Sequence, residues 1–238
     1  MSAMSVETTE LDADAQVLLS GIVGSTAYGL DGPGSDIDRL GVFALPTIRL
    51  LGLTQPRLSV VGSKPDFTMH EVGKAVSLLL SCNPTLTELL WLPDDLYEAR
   101  TPLGEELIAM RAAFLSAQKV KGAYLGYATQ QLRKFVAMGE HRADPERRPR
   151  IAKHARHLMR LVDQGYDLYV TGRLAVRLAE PDRYLEFGEQ VAEQPDRALA
   201  FMTRADERFA AARSVLPEAP DESAAESWLL TVRRALWA

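Results

Sequence analysis

The sequence predicts an α+β chain: a small α/β domain over residues 1–100 followed by a helical domain over residues 101–238. Two observations predict it. In the first hundred residues, short β-branched apolar runs are separated by Gly, Pro and Asp, the pattern of strands and turns. From Thr101 onward apolar residues recur at helical spacing, and Pro102 and Pro149 stand where a first helical turn accepts proline. With 238 residues, 47% of them apolar, the chain is long enough to bury a sizeable core.

Residues 17–23 (VLLSGIV) read as a buried strand ended by Gly24-Ser25. A loop rich in Gly, Pro and Asp follows from Tyr28 to Ser35. Residues 36–44 (DIDRLGVFA) read as a second strand, whose alternation sets Asp36, Asp38 and Leu40 on one face and turns Ile37 into the core. Pro46 and Pro56 break the next connection. A third strand is expected around Phe67 to His70, and an apolar helix from about Glu71, carrying Cys82 and interrupted at Asn83-Pro84. Five helices then follow: Pro102–Arg111, Ser116–Met138, Pro149–Thr171, Pro195–Val215 and Ser223–Trp237, with Gly165 and Gly172 near a helix end. The segment Asp144 to Arg148 is the best candidate for a mobile loop.

The whole chain has a net charge of −5, which argues against a protein that coats nucleic acid through bulk positive charge. The distribution is uneven. Residues 119–160 hold eleven Lys and Arg against three acids, a local +8 inside a remainder of −13. Cys82 is the one cysteine, which excludes a disulfide framework and an all-cysteine zinc site. No apolar run reaches the ~18 residues of a membrane helix, and the polar, acidic start is unlike a signal peptide. A soluble protein of the reducing cytoplasm, with no membrane partner, is the expectation.

The informative string runs Gly24-Ser25-Thr26-Ala27-Tyr28-Gly29 and then Gly34-Ser35-Asp36-Ile37-Asp38. Taken alone, Gly24-Ser25 is as readily a strand-ending turn, and Asp36-x-Asp38 a solvated strand edge. Joined at this interval they suit nucleotidyl transfer. Gly24 admits polyphosphate close to the backbone, and Ser25 offers both N–H and O–H to phosphate oxygens. Two carboxylates projecting from one strand can hold divalent ions ~3.5–4 Å apart for in-line phosphoryl displacement. Hard oxygen ligands suit Mg²⁺ or Mn²⁺, and no histidine pairing aligns with them to favour zinc. A third carboxylate is needed. Asp66 is the best placed, since it opens the next strand and shares a face with Thr68 and His70; Glu71 and Asp31 are the others.

These strings resemble the signature of the DNA polymerase β nucleotidyltransferase superfamily, and within it the RNA-repair-associated RlaP-like family. The similarity extends over GIVGSTAYGLDGPGSDID, DFTMHEVGKAVSLLLSCNPTLTELLWL, GAYLGYATQQLRKF and KHARHLMRLVDQGYDLYVTGRL, about residues 17–178. The resemblance implies a polymerase-β-type α/β domain, a small mixed sheet with helices, ahead of a helical bundle. It implies metal-dependent transfer of a nucleoside monophosphate from an NTP to an acceptor. Asp36, Asp38 and Asp66 would be metal ligands and catalytic groups, and Gly24, Ser25 and Ser35 would hold the nucleotide. Hydrophobic-Arg-Gly commonly follows the second Asp of that family, where this chain has Arg39-Leu40-Gly41.

Lys153, His157 and Arg160 fall at i, i+4 and i+7 and share one helical face, opposite Ile151, Ala155, Leu158 and Val162. That face is either a solvated basic stripe or a wall of the cleft that takes the triphosphate. Tyr124, Tyr127, Gln131 and Arg133 belong to a long helix whose apolar face is core and whose polar face is open to a base. The acceptor favoured is an RNA 3′-end, met by the basic segment 119–160. The alternatives are a protein or small-molecule hydroxyl, or a module that binds nucleotide or RNA without turnover. The sequence sets neither the NTP nor the oligomeric state.

Overall fold

The computed structural model describes residues 11–63, 66–138 and 147–237. Among these residues five strands form one mixed sheet: β1 (Gln16–Val23), β2 (Asp38–Ala44), β3 (Ser59–Ser63), β4 (Asp66–Glu71) and β5 (Tyr97–Arg100), in the order β3-β4-β2-β1-β5. β2 and β4 run parallel, with Arg39 opposite Phe67, and the other neighbours are antiparallel. Alternation along each strand divides the two faces. Phe43, Val60, Phe67 and Met69 pack with Leu11 on one face. Leu18, Leu40, Val42 and Ala44 join the main core on the other.

That main core is continuous with the helices. It includes Phe114, Tyr124, Leu158, Trp228 and Val232 as well as the sheet residues. The helices are α1 (Gly24–Tyr28), α2 (Val72–Leu80), α3 (Pro84–Leu89), α4 (Pro102–Ala109), α5 (Ala117–Met138), α6 (Arg147–Thr171), α7 (Pro181–Glu193), α8 (Asp196–Ala211) and α9 (Glu222–Ala235). Their starts are chemically marked. Glu71, Asn83, Thr101 and Asp221 each accept a backbone N–H of the first turn that follows, and Pro84 and Pro102 open α3 and α4. Glu71 also pairs with Arg233 at 2.5 Å, tying α9 to the end of β4. α5 and α6 lie antiparallel, since Tyr124 meets Gly165 and Gln131 meets His154. No helix among the described residues is long and apolar enough to cross a membrane.

Several expectations change. β2 begins at Asp38, so Asp36 and Ile37 precede it, and Ile37 is 46% exposed rather than in the core. Cys82 sits between α2 and α3 with φ of 52°, buried but not helical. Gly165 lies inside α6, where a Cβ would come 2.5 Å from that of Tyr124. β3, β5, α1 and α7 were not foreseen, and the helix expected over 195–215 ends at Ala211. Of the expected mobile segment, residues 144–146 and the neighbouring His141 lie outside the described residues, while Arg147 and Arg148 open α6.

Candidate active site

A cleft of about 450 Å³ opens where β1, β2 and β4 meet α6, lined by Gly24, Tyr28, Asp38, Asp66, His70, His157 and Arg160 among others. Strand pairing builds its floor. β1 delivers Gly24 beside Asp38, because Val23 pairs with Asp38 across the antiparallel ladder. β4, parallel to β2, delivers Asp66 to the same end, and its period of two puts Thr68 and His70 along the cleft with it.

Gly24 is held at φ +71°, and a Cβ there would come 2.2 Å from Oδ2 of Asp38. The glycine is therefore required twice, for the left-handed turn into α1 and for the close approach of the carboxylate. Asp38 is half-buried, and its carboxyl is pushed above the ordinary value by burial and by the negative charge of Asp66, with a smaller push from Asp36; Lys153 pulls it back. Asp38 thus feels both of the other predicted carboxylates. Asp36 is held by no strand, lying on the exposed loop ahead of β2. Among the described residues, no three His, Cys, Asp or Glu side chains stand close enough together to enclose an ion. The donor chemistry nonetheless fits a hard divalent cation, whose charge would relieve the repulsion recorded in Asp38.

α6 supplies the opposite wall, and burial grades the predicted basic face. Lys153 is exposed, and His157 is half-buried in the cleft. Burial, with the nearby charges of Arg160, His154, Lys134 and Lys153, holds the His157 imidazole down to about 3, so it is neutral at physiological pH. Arg160 departs from expectation. It is 3% exposed, paired with the buried Glu88, hydrogen-bonded to Gln164 at 2.6 Å, and stacked 3.8 Å over the ring of Tyr28. Tyr28 in turn donates to Glu88 at 2.6 Å. Arg160 borders the cleft, but its charge is already committed to Glu88.

The remaining predicted residues are accounted for locally. Ser25 is half-buried in α1, and its carbonyl accepts from Leu30 N at 2.9 Å. The Ser35 hydroxyl accepts from Gly32 N at 2.9 Å and closes the loop. Glu71 is occupied by Gly73 and Arg233, which removes it as a third carboxylate. Tyr124 is fully buried, Tyr127 accepts from Asn83 at 2.5 Å, and Gln131 meets His154 at 2.9 Å, so the middle of α5 is structural. Arg39 forms a pair with Glu98 at 2.9 Å that ties β2 to β5.

Sequence reasoning missed Tyr28, Glu88 and Lys74. Tyr28 and Lys74 line the cleft; burial, with a smaller push from Lys74, lowers the His70 imidazole, whose Nδ1 meets Ser59 Oγ at 2.8 Å. A polar Glu88 inside TLTELLWL was the one available signal, since a carboxylate amid apolar helix residues needs a buried partner.

Comparison with known proteins places the chain in a family. No curated protein matches the chain. The model of the RlaP family, described as the RNA repair pathway DNA polymerase beta family, matches residues 2–194, which span the whole cleft from Gly24 to Arg160. The chain belongs to that family.

Proposed function

We propose that this protein is a metal-dependent nucleotidyltransferase that moves a nucleoside monophosphate from an NTP to the 3′-hydroxyl of an RNA. The observation that supports it best is the meeting of Gly24, Asp38 and Asp66 on the floor of one cleft. Asp36, Asp38 and Asp66 are the residues to hold Mg²⁺ or Mn²⁺. When bound, the metal supplies positive charge against the phosphate oxygens and the leaving pyrophosphate. The chain's own groups do the rest. The glycine turn and the first N–H groups of α1, which Val23 leaves without a side-chain cap, receive phosphate oxygens. Lys153, already coupled to Asp38, offsets triphosphate charge from the rim. Neutral His157 hydrogen-bonds the nucleotide, and the Glu88–Arg160–Tyr28 cluster holds the turn at Gly24–Tyr28 against α6. Asp66 takes the acceptor proton or binds metal. No protein nucleophile is required. The lone Cys82 is buried and takes no part in the transfer.

The basic segment gives RNA a smaller positive surface than its +8 implies, because Arg148 pairs with Glu189 and Glu193 and Arg160 is buried. Lys119, Arg133, Lys134 and Lys153 are exposed along α5 and α6. The test incubates purified protein and Mg²⁺ or Mn²⁺ with each α-labelled NTP, offering an RNA pool and a cell lysate. Label in RNA supports the proposal. Label confined to protein moves the acceptor to a protein hydroxyl, and label in neither overturns the transferase reading.

A further inference from the structure

We propose that the groove between α7 and α8 is a second nucleic-acid contact, which holds single-stranded RNA away from the cleft. The groove has a volume of about 390 Å³ and is lined by Arg183 and Phe187 from α7, by Arg197, Phe201 and Arg204 from α8, and by Met159 from α6. Each helix carries the same pair: an arginine followed one turn later by a phenylalanine, Arg183–Phe187 and Arg197–Phe201. At i, i+4 both members of each pair lie on one face. The two rings meet across the groove with centroids 4.9 Å apart and are half-buried, so each keeps an edge or face toward solvent.

The charge is one-sided. Among the described residues, three arginines and no carboxylate line the groove, although α7 and α8 carry many acids elsewhere along their lengths. The cations are also differently tied. Among the described residues, Arg183 leans toward Asp163 at 3.5 Å, Arg197 is held only by the neutral amides of Gln190 and Gln194, and exposed Arg204 has no partner. Cations gathered beside aromatic rings in one groove suit a flexible strand of bases and phosphates. An acidic peptide would answer the arginines but leave the rings unused.

The groove lies behind the cleft. Met159 on α6 faces it, whereas His157, two residues earlier and about 200° away round the helix, faces the cleft. A strand whose 3′-end enters the cleft can pass this helix and rest on the arginines. The choice of RNA over DNA rests on the proposed acceptor, but the contact itself needs no turnover.

The test is fluorescence anisotropy of a short labelled single-stranded RNA with the full chain, without NTP. Arg204→Glu changes an exposed, unpaired side chain and leaves the fold intact. Phe201→Leu keeps an apolar side chain against the core but removes the ring. The proposal expects Arg204→Glu and Phe201→Leu each to weaken RNA binding by about tenfold or more. Arg204→Glu should also lower the salt dependence by about one phosphate contact. NTP binding in the cleft should stay unchanged. Asp36→Asn with Asp38→Asn should leave RNA affinity in place, so a failed transferase reading and a failed groove are told apart. RNA affinity within twofold of wild type in both groove variants overturns the proposal. So does equal competition by polyglutamate with undiminished binding in Phe201→Leu, which would make the groove an acidic-peptide site.

Discussion

Replacing Gly24 by alanine separates backbone strain from displacement of the Asp38 carboxylate. The residue sits at φ +71°, where an L side chain costs about 1–2 kcal/mol. For a chain of this size that lowers Tm by about 2–8 °C. The new methyl would lie 2.2 Å from Asp38 Oδ2 and 3.0 Å from its Cγ, so the carboxylate must rotate away. Misplacing a reacting group by an ångström costs about a hundredfold in rate. Gly29 supplies the control. Its φ is +73°, but a Cβ there has nothing within 4 Å. Gly29→Ala should therefore lose a similar Tm and keep near-wild-type turnover, while Gly24→Ala loses about two orders of magnitude in kcat. The assay pairs calorimetric melting with incorporation of α-labelled NTP. Equal turnover in the two variants would refute the claim that Gly24 exists to seat Asp38.

Other outcomes follow from the same contacts. Glu88→Ala leaves Arg160 buried without its carboxylate and should destabilise the fold by about 3–5 kcal/mol in urea melts, whereas Glu88→Gln with Arg160→Met should recover most of the loss. His157 is held down to about 3, below the value of a free imidazole, so the unfolded chain binds the extra proton between about pH 6.5 and 3. Its neutral, buried form is fully compatible with folding above pH 6.5, and stability falls as pH drops through that window. His157→Gln should flatten the fall in urea midpoint between pH 7 and 5; an unchanged slope would place the titration elsewhere. Asp66→Asn removes the charge that, after burial, most raises Asp38, and should lower the pH at which the Asp38 carboxyl titrates in the metal-free protein, read by NMR; an unchanged titration would mean that Asp66 does not act on it. Mg²⁺ should raise the Tm of wild type and fail to raise that of Asp38→Asn with Asp66→Asn; an equal rise in both would put the ion elsewhere.

The cleft floor was legible because strand periodicity is short-ranged. Val17 to Val23, the Gly-Ser turn and the alternation from Asp66 to His70 each follow from a few neighbouring residues, and strand pairing then brings Asp38 and Asp66 together. The long helices were legible because α5 and α6 bury continuous stripes. What escaped depends on distant partners. β5 is the polar YEAR at a sheet edge, where half-exposure hides any pattern, and β3 carries Gly62. α7 was obscured by its polarity and by Gly188, which lets Ala152 of α6 approach. Ile37 was misplaced because extending β2 by two residues assigns a face to side chains that no neighbouring strand holds. Arg160 stayed open between a solvated stripe and a triphosphate-binding cleft wall because helical spacing shows which face it shares, not the buried Glu88 more than seventy positions away that it meets there.

The most direct measurement uses one NTP labelled in turn at the α- and γ-phosphate, with Mg²⁺ and RNA, in wild type and in Asp38→Asn. The account predicts that wild type transfers the α-label to a macromolecular acceptor and releases the γ-label as pyrophosphate, and that Asp38→Asn does neither. Transfer of the γ-label, or α-label transfer undiminished in Asp38→Asn, would contradict it.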